Sequence, residues 1–412
     1  MLWFVGTGIS GTESIPMGGA AALRGADVIY AEQFTSPTPQ TASSDTTGGL
    51  TALARDIVGG SGRGGGDGGG DGGSSSRSRA EIRDAKRWMV EDGAQILREA
   101  ESRNVVLLSY GDPLVATTHA ELLCRAARQG IGTRVIHASS APFSIVGQCG
   151  LHHYKMGRMA TVMRDPKSMT TPYYTIYKNL MERCHTMLLL EYDREGTELD
   201  GPGNFFLEPA DALRMLLNTE EGQQRGVVYG DTYAIVASRV GFGDRQQRIV
   251  AGKVSSLVAR EGFGSPPHSV IIPGRLHFTE TNALATLAEC IDPPPRADGD
   301  SVRPQEGGED APWRGGPNAP ARIAEQMVAK YAPMIRRSIE EVSARCAGDS
   351  AMNGILENAR LYVNDAEDFI RKEGHGDVAI LSIGYADGLA DALRLLKGLE
   401  TGDRADEAKA EL

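Results

Sequence analysis

Short apolar runs and segments with helical spacing alternate along the first third of the chain. The apolar runs predict buried strands over residues 2–5, 27–31, 105–110 and 133–137. Apolar residues recur at helical steps over residues 81–103, and a second such segment ends at Gly130, so both are predicted to be helices. Strands that alternate with helices indicate an α/β domain built on a parallel sheet.

The pattern between residues 143 and 274 is richer in strands. Apolar runs predict strands over residues 184–190, 233–240, 249–257 and 269–274. Helical spacing predicts helices over residues 173–180 and 209–217. Several strands with two flanking helices indicate a second α/β unit with a mixed sheet.

The last quarter of the chain has a different pattern. Residues 293–320 are rich in Pro, Gly and charge, which is typical of a linker. Beyond them, apolar residues recur at three- and four-residue steps, which predicts about three antiparallel helices. We therefore expect an α/β domain at 1–137, a second at 138–291, a linker at 292–320, a helical domain at 321–399 and a frayed tail.

One segment of the first domain departs from this pattern. Residues 50–58 could form a short helix, whereas residues 59–79 are nearly all Gly, Ser, Asp and Arg. Such a segment cannot bury enough apolar surface to offset its ordering entropy. We therefore expect residues 59–79 to be a disordered insertion on the surface.

Composition narrows the functional classes. The chain has 412 residues and a net charge of −11, and no basic patch is evident, which argues against a nucleic-acid partner. Its five cysteines are scattered and never form a CxxC, so neither a disulfide framework nor a zinc site is expected. No run is long enough for a signal peptide or a membrane span. These features predict a cytoplasmic chain.

The loop after the first strand mimics a dinucleotide fingerprint. Residues 6–11 read Gly-Thr-Gly-Ile-Ser-Gly, and Glu32 closes the second predicted strand. Ser14, however, is the expected N-cap of the following helix, with Pro16 in its first turn. The helix then begins too late to meet a pyrophosphate. A ligand with an adenosyl group and no phosphates suits such a loop.

A second turn carries the most informative chemistry. The strand over 105–110 breaks at Gly111-Asp112-Pro113, which places a carboxylate at the carboxyl edge of the sheet. Open α/β sheets bind ligands at that edge. The plainer interpretation is a strand-to-helix turn with Asp112 as N-cap. The adjacent His152 and His153 do not predict a metal site, because neighbouring side chains do not converge on one ion.

These residues also carry a family resemblance. Residues 111–122 (GDPLVATTHAEL) and 135–138 (VIHA) resemble the diphthine synthases, which are S-adenosylmethionine-dependent methyltransferases of the tetrapyrrole-methylase superfamily. The resemblance continues through residues 30–36, 266–268 and 273–277, and it spans about residues 1–291. The end of the helical segment resembles a small archaeal helical domain of unknown function.

The resemblance implies a fold and a cofactor site. Two α/β domains of the tetrapyrrole-methylase type would hold S-adenosylmethionine in the cleft between them. The implied cofactor-binding residues are Ile9, Asp112, Val115, Ser140, Ala141, Leu190, Val240 and His268. Asp112 is physically the most credible, since a carboxylate at a strand end can accept from ribose hydroxyls or an ammonium. No metal and no catalytic side chain is implied.

The resemblance also implies an activity. The chain would N-methylate the amino group of the modified histidine of translation elongation factor 2 in diphthamide biosynthesis, as a cytoplasmic homodimer. Two alternatives remain open at this point. One is a superfamily methyltransferase that acts on a tetrapyrrole small molecule. The other is a non-catalytic binding module in which the helical domain makes the contacts.

Overall fold

A computed structural model describes residues 1–34, 49–59, 80–193, 205–243, 246–295, 319–346, 349–372 and 375–399. Residues 60–79 of the expected insertion, 296–318 of the expected linker and the expected frayed tail lie outside them. The described parts form a five-stranded sheet, a six-stranded sheet, a two-stranded hairpin and a C-terminal group of helices. The α/β fold class with an added helical region is therefore confirmed.

The first sheet is entirely parallel, with strand order β3-β2-β4-β1-β5. Its elements are β1 (Leu2–Gly6), α1 (Met17–Arg24), β2 (Val28–Glu32), α2 (Gly49–Gly59), β3 (Glu81–Ala85), α3 (Arg87–Asp92), α4 (Ala94–Ala100), β4 (Val105–Ser109), α5 (His119–Arg128) and β5 (Thr133–Ile136). Strand β1 shows why both faces are covered. Leu2 and Phe4 pack in one core, while Val5 packs in a second core on the opposite face.

The helix predicted over residues 81–103 is wrong. Its first part is β3, which pairs in parallel with β2 at the edge of the sheet. Its second part is two short helices, because Gly93 lies between them at φ 60°, a left-handed conformation that ends α3. The pattern did not predict a strand because β3 is an edge strand with charged, partly exposed residues and lacks the apolar run of a buried strand.

The second sheet is mixed, with strand order β13-β11-β10-β12-β7-β6. Its region comprises α6 (Ala141–Gln148), β6 (Ala160–Val162), α7 (Thr170–Met181), β7 (Thr186–Leu190), β8 (Tyr192–Asp193), β9 (Phe205–Phe206), α8 (Pro209–Gln223), β10 (Tyr233–Ser238), β11 (Arg248–Lys253), α9 (Val254–Ala259), β12 (His268–Ile272), α10 (Phe278–Leu287) and β13 (Glu289–Cys290). Strands β8 and β9 form the separate hairpin.

The strand predicted over residues 249–257 is only partly correct. Strand β11 ends at Lys253, and α9 follows immediately. The change of direction is fixed by backbone bonds, since the Val254 N–H donates to the Thr232 carbonyl and the Ser255 N–H to that of Gly230. A short apolar run does not distinguish a buried strand from a buried helix turn, which accounts for the error.

One apolar core joins the two sheets. It combines Val106 and Leu108 of β4 with Ile235 of β10 and Ile271 of β12, and Ile145 of α6 also packs in it. The opposite face of the second sheet is covered by α7 and α8. This core contains residues from both sides of the expected boundary at 137/138. The boundary itself stays a prediction.

The C-terminal region consists of α11 (Ala319–Ser343), α12 (Ser350–Phe369) and α13 (Gly376–Leu396), which share a core of their own. Helix α11 also packs Ile323 and Met327 against α7 and α8. Arg322 fixes this contact, because its Nε donates to the Gly226 carbonyl at 2.7 Å and its Nη2 to that of Val227 at 3.1 Å. The described part of the chain contains no helix that is long and apolar enough to cross a membrane.

Candidate functional site

The two glycine-containing turns singled out in the sequence pair with each other. Strands β1 and β4 lie side by side, so the segments after them meet at the carboxyl edge of the sheet. The Gly8 N–H donates to the Gly111 carbonyl at 3.2 Å, and the Gly111 N–H donates to that of Gly8 at 3.0 Å. Both glycines have φ above 70°, where L residues with a Cβ are strained. The sequence therefore needs glycine at both positions to close this pair.

Ser14 does not cap the first helix as expected. Helix α1 begins at Met17, and extended Pro16 occupies the N-cap position. The Ser14 hydroxyl instead accepts from the Ser10 N–H at 2.9 Å and donates to the Thr7 carbonyl at 2.8 Å. Its role is to hold the loop after β1 in shape. The long loop before the helix, which argued against a dinucleotide site, is nevertheless present.

Asp112 ties together the ends of two strands rather than capping a helix. Its Oδ1 accepts from the Leu114 N–H at 2.9 Å. Its Oδ2 accepts from the Ala138 N–H at 3.1 Å and lies 2.8 Å from Nδ1 of His137. The carboxylate is 8 % exposed. It therefore fixes the turn after β4 against the segment that follows β5, and the following helix α5 begins only at His119.

A cavity lies between this edge and the second sheet. Its volume is about 880 Å³, a figure that includes space open to solvent. Its walls come from four places: the turn after β4, the start of α6, the end of β7 with the hairpin residue Tyr192, and the facing ends of β10 and β12. Apolar side chains dominate the walls, with a few polar groups among them, which is typical of a small-molecule site.

The structure brings seven of the eight expected cofactor residues to this cavity. The seven that line it are Asp112, Val115, Ser140, Ala141, Leu190, Val240 and His268. Ile9 lies just behind the wall: its carbonyl accepts from the hydroxyl of the lining residue Tyr110 at 2.8 Å. A Cβ on Gly241 would come within 3.0 Å of the Ile9 side chain, so the two loops touch. That these residues bind a cofactor stays a prediction.

His268 is a buried titratable group of the cavity wall. Its Nδ1 lies 2.8 Å from the Ser238 hydroxyl, its register partner across β10 and β12. Its Nε2 is buried and has no hydrogen-bond partner within the described ranges. Burial, aided by the charge of Arg239, lowers the pKa of His268 from 6.5 to about 4. The ring is therefore neutral at physiological pH.

Two further polar residues of the wall escaped the sequence analysis. Tyr110 donates to the Ile9 carbonyl, and burial raises the pKa of its hydroxyl well above the usual range. Arg239 follows β10 and lines the cavity beside Val240. Its position next to an expected site residue was the available signal, but nothing in the linear pattern showed that the chain turns there.

A buried charge cluster away from the cavity also escaped the sequence analysis. Glu280 of α10 is fully buried, and it accepts from Nζ of Lys155 and from the backbone N–H groups of His152 and His277. Its Oε1 lies 3.0 Å from Nε2 of the buried His185. The backbone N–H of His152 is therefore a structural hydrogen-bond donor in this cluster. Across the described ranges, no group of three or more metal-ligating side chains is found.

The sequence matches known families over most of its length. Residues 1–258 match the family described as Tetrapyrrole (Corrin/Porphyrin) Methylases. The chain is also 32 % identical over 290 residues to the diphthine synthase of Methanothermobacter thermautotrophicus, covering 70 % of this chain and 96 % of that protein. The chain belongs to the diphthine synthases within the tetrapyrrole methylase family. The prediction of a methyltransferase is thereby confirmed.

Other relatives agree with this assignment to the diphthine synthases. The diphthine synthase of Methanocella arvoryzae is 32 % identical over 295 residues, covering 70 % of this chain and 98 % of that protein. A crystal structure of a diphthine synthase superposes with a TM-score of 0.54 at 27 % identity, covering 70 % of this chain and 96 % of the other. Neither alternative left open by the sequence is favoured by these similarities.

The helical region matches a second family. Residues 330–399 match the family described as Protein of unknown function (DUF357). This agrees with the resemblance of the last helix to a small domain without assigned activity. The match begins within α11, after Ile323 and Met327 but before Tyr331, which also packs against the core of the second sheet.

Proposed function

We propose that this chain is an S-adenosylmethionine-dependent diphthine synthase. It methylates the amino group of the modified histidine of translation elongation factor 2. The observation that supports this proposal is the cavity beside the paired glycine turns, whose wall contains seven of the eight positions expected to bind the cofactor.

The residues of the cavity fit an adenosyl group with an amino-acid tail. Leu190 and Val240 offer apolar surface, and Ser140 contributes a polar atom at the start of α6. The unpartnered Nε2 of His268 is a buried polar atom that a heteroaromatic ligand could satisfy. Gly111 brings its backbone close to the ligand, since it lines the cavity and has no Cβ.

When bound, S-adenosylmethionine supplies an electrophilic methyl group. The chain then has to hold the acceptor amine in line, exclude water and leave the amine unprotonated. The titratable groups of the wall are poor acceptors for the proton of an amine. His268 has a pKa of about 4, Tyr110 stays protonated because burial raises its pKa, and Asp112 already accepts two backbone N–H bonds. We infer that the amine loses its proton to solvent.

The test is a methyl-transfer assay with elongation factor 2 that carries the unmethylated diphthamide intermediate. The purified chain and S-adenosylmethionine should add methyl groups to the histidine-containing peptide, seen by mass spectrometry, and release S-adenosylhomocysteine. Elongation factor 2 with an unmodified histidine is the matched control and should gain no mass. Methylation of neither protein, with a tetrapyrrole accepted instead, would overturn the proposal.

The homodimer and the cytoplasmic location implied by the resemblance belong to the same proposal. The exposed aromatic residues Phe143, Tyr154 and Phe278 give the folded chain surface that a second copy could cover. Light scattering coupled to size exclusion should give twice the chain mass of 44.0 kDa. A mass equal to one chain at micromolar concentration would refute the dimer.

A further inference from the structure

Arg239 occupies a strained position at the wall of the cavity. It follows β10 directly and has φ 53°, a left-handed conformation that few non-glycine residues adopt. Its N–H donates to the Pro267 carbonyl at 2.9 Å, which locks the turn beside His268. Strain of this kind persists only where surrounding contacts hold the backbone in place, as the bond to Pro267 does here.

The guanidinium of Arg239 is held at the cavity, and no counter-ion for it is found among the described residues. Its Cζ lies 4.8 Å from the centre of the Phe242 ring, which is a cation–π contact. Its Nε is buried and has no hydrogen-bond partner, and no ion pair is found for it in the described ranges. Burial lowers the pKa of this group, as expected for a cation removed from water.

The other charged groups of the wall do not neutralise it. Asp112 is the acidic residue that lines the cavity, and its oxygens already accept from the backbone of Leu114 and Ala138. His268 is neutral at physiological pH, and Tyr110 keeps its proton. A partly desolvated cation with free donors therefore faces the space that a ligand would fill.

We propose that Arg239 is the carboxylate-binding residue of this cavity. This inference rests on the proposed function, which requires an amino-acid end on the methyl donor and an amine on the acceptor. The carboxylate belongs either to the donor or to the acceptor, beside its amine. The planar guanidinium matches a carboxylate with two parallel N–H donors, which an ammonium cannot reproduce.

The donor arm of the test compares two ligands by calorimetry. S-Adenosylhomocysteine keeps the carboxylate, whereas its decarboxylated analogue keeps only the amine. If the donor supplies the carboxylate, Arg239→Gln lowers the affinity for S-adenosylhomocysteine by about tenfold or more, as expected for a lost charge-assisted hydrogen bond. The decarboxylated analogue should bind the variant and the wild type equally. That equality also shows that the variant is folded.

The acceptor arm measures methyl transfer to elongation factor 2. If the acceptor supplies the carboxylate, Arg239→Gln leaves S-adenosylhomocysteine binding unchanged and raises the KM for the acceptor by about tenfold. Arg239→Lys should recover only part of either effect, because it keeps the charge and loses the planar fork. Arg183→Gln is the matched control, since Arg183 is an exposed arginine with φ 60° outside the cavity.

The outcomes separate this inference from the proposed function. A wild-type chain that fails to bind S-adenosylhomocysteine overturns both. A wild type that binds it, with Arg239→Gln indistinguishable from Arg183→Gln in both arms, overturns the carboxylate role alone. An equal loss of affinity for S-adenosylhomocysteine and for its decarboxylated analogue would also overturn that role, because the loss would not depend on a carboxylate.

Discussion

Replacing Gly6 with alanine should separate the two paired turns. Gly6 is the last residue of β1, and its backbone faces the Gly111 carbonyl closely enough that an added Cβ would lie under 3.0 Å from that oxygen. The same Cβ would be 2.9 Å from Cδ of Pro113 and 3.0 Å from Cβ of Ala138. Strand β1 is held between β4 and β5, so the turn has to move instead.

The expected cost follows from these distances. Relaxed non-bonded contacts lie near 3.5 Å, so the turn that contains Asp112 must shift by roughly 1 Å. Such overpacking lowers the free energy of unfolding by about 1–3 kcal/mol, or the melting temperature by several degrees. The shift also lengthens the bond from the Ala138 N–H to Asp112, now 3.1 Å. Affinity for S-adenosylhomocysteine should fall by about tenfold or more.

Scanning calorimetry and isothermal titration of the Gly6→Ala variant measure both effects. Gly132→Ala is the matched control, because its Cβ would meet only Cε of Met1 at 3.5 Å, an ordinary contact. It should change neither the melting temperature nor the affinity. Wild-type melting and wild-type affinity in Gly6→Ala would refute the reasoning that the paired turns shape the cavity.

Three further predictions concern buried polar groups. The pKa of His268 is about 4 in the folded chain and 6.5 ordinarily, so the free energy of unfolding should fall by up to about 3 kcal/mol as the pH drops from 6.5 to 4. In denaturation measured over this pH range, His268→Gln should lack this fall. Burial alone would raise the pKa of Glu280, but hydrogen bonds from His185 and Lys155 hold this pKa well below its usual range. The carboxylate therefore stabilises the fold above pH 4.5, and this stabilisation is lost on acidification. Glu280→Gln should lower the melting temperature at pH 7 and make the melting temperature less dependent on pH in acid. Arg322→Ala should reduce the free energy that holds α11 on the second sheet by about 2 kcal/mol, because two hydrogen bonds are lost. The amides of α11 should then exchange their hydrogens faster, and unchanged exchange would contradict the assigned role of Arg322.

The carboxyl edge of the first sheet was predictable because its signals are local. Parallel strands end at one edge, so the glycine turn after β1 and the turn at Gly111 had to meet there. The sequence also predicted the helical region, because its apolar spacing continues over three long helices. The positions of Leu190, Val240 and His268 at one cavity were accessible only through the family resemblance.

Features set by distant partners could not be predicted. Strand β3 has an incompletely buried, partly charged sequence that becomes a strand only because β2 offers it an open edge. The Glu280 cluster joins Glu280 of α10 to His185, which directly precedes β7, and to Lys155, and no local spacing relates these residues. Arg239 reaches the cavity through a left-handed turn whose partner is the Pro267 carbonyl.

Calorimetric titration with S-adenosylhomocysteine tests the central claim most directly. Val115 lines the cavity, whereas its half-buried neighbour Leu114 does not, so Val115→Trp and Leu114→Trp form a matched pair. The account predicts one bound ligand per wild-type chain, loss of binding in Val115→Trp and wild-type binding in Leu114→Trp. No binding to the wild type, or equal binding to all three proteins, would contradict a cofactor site in this cavity.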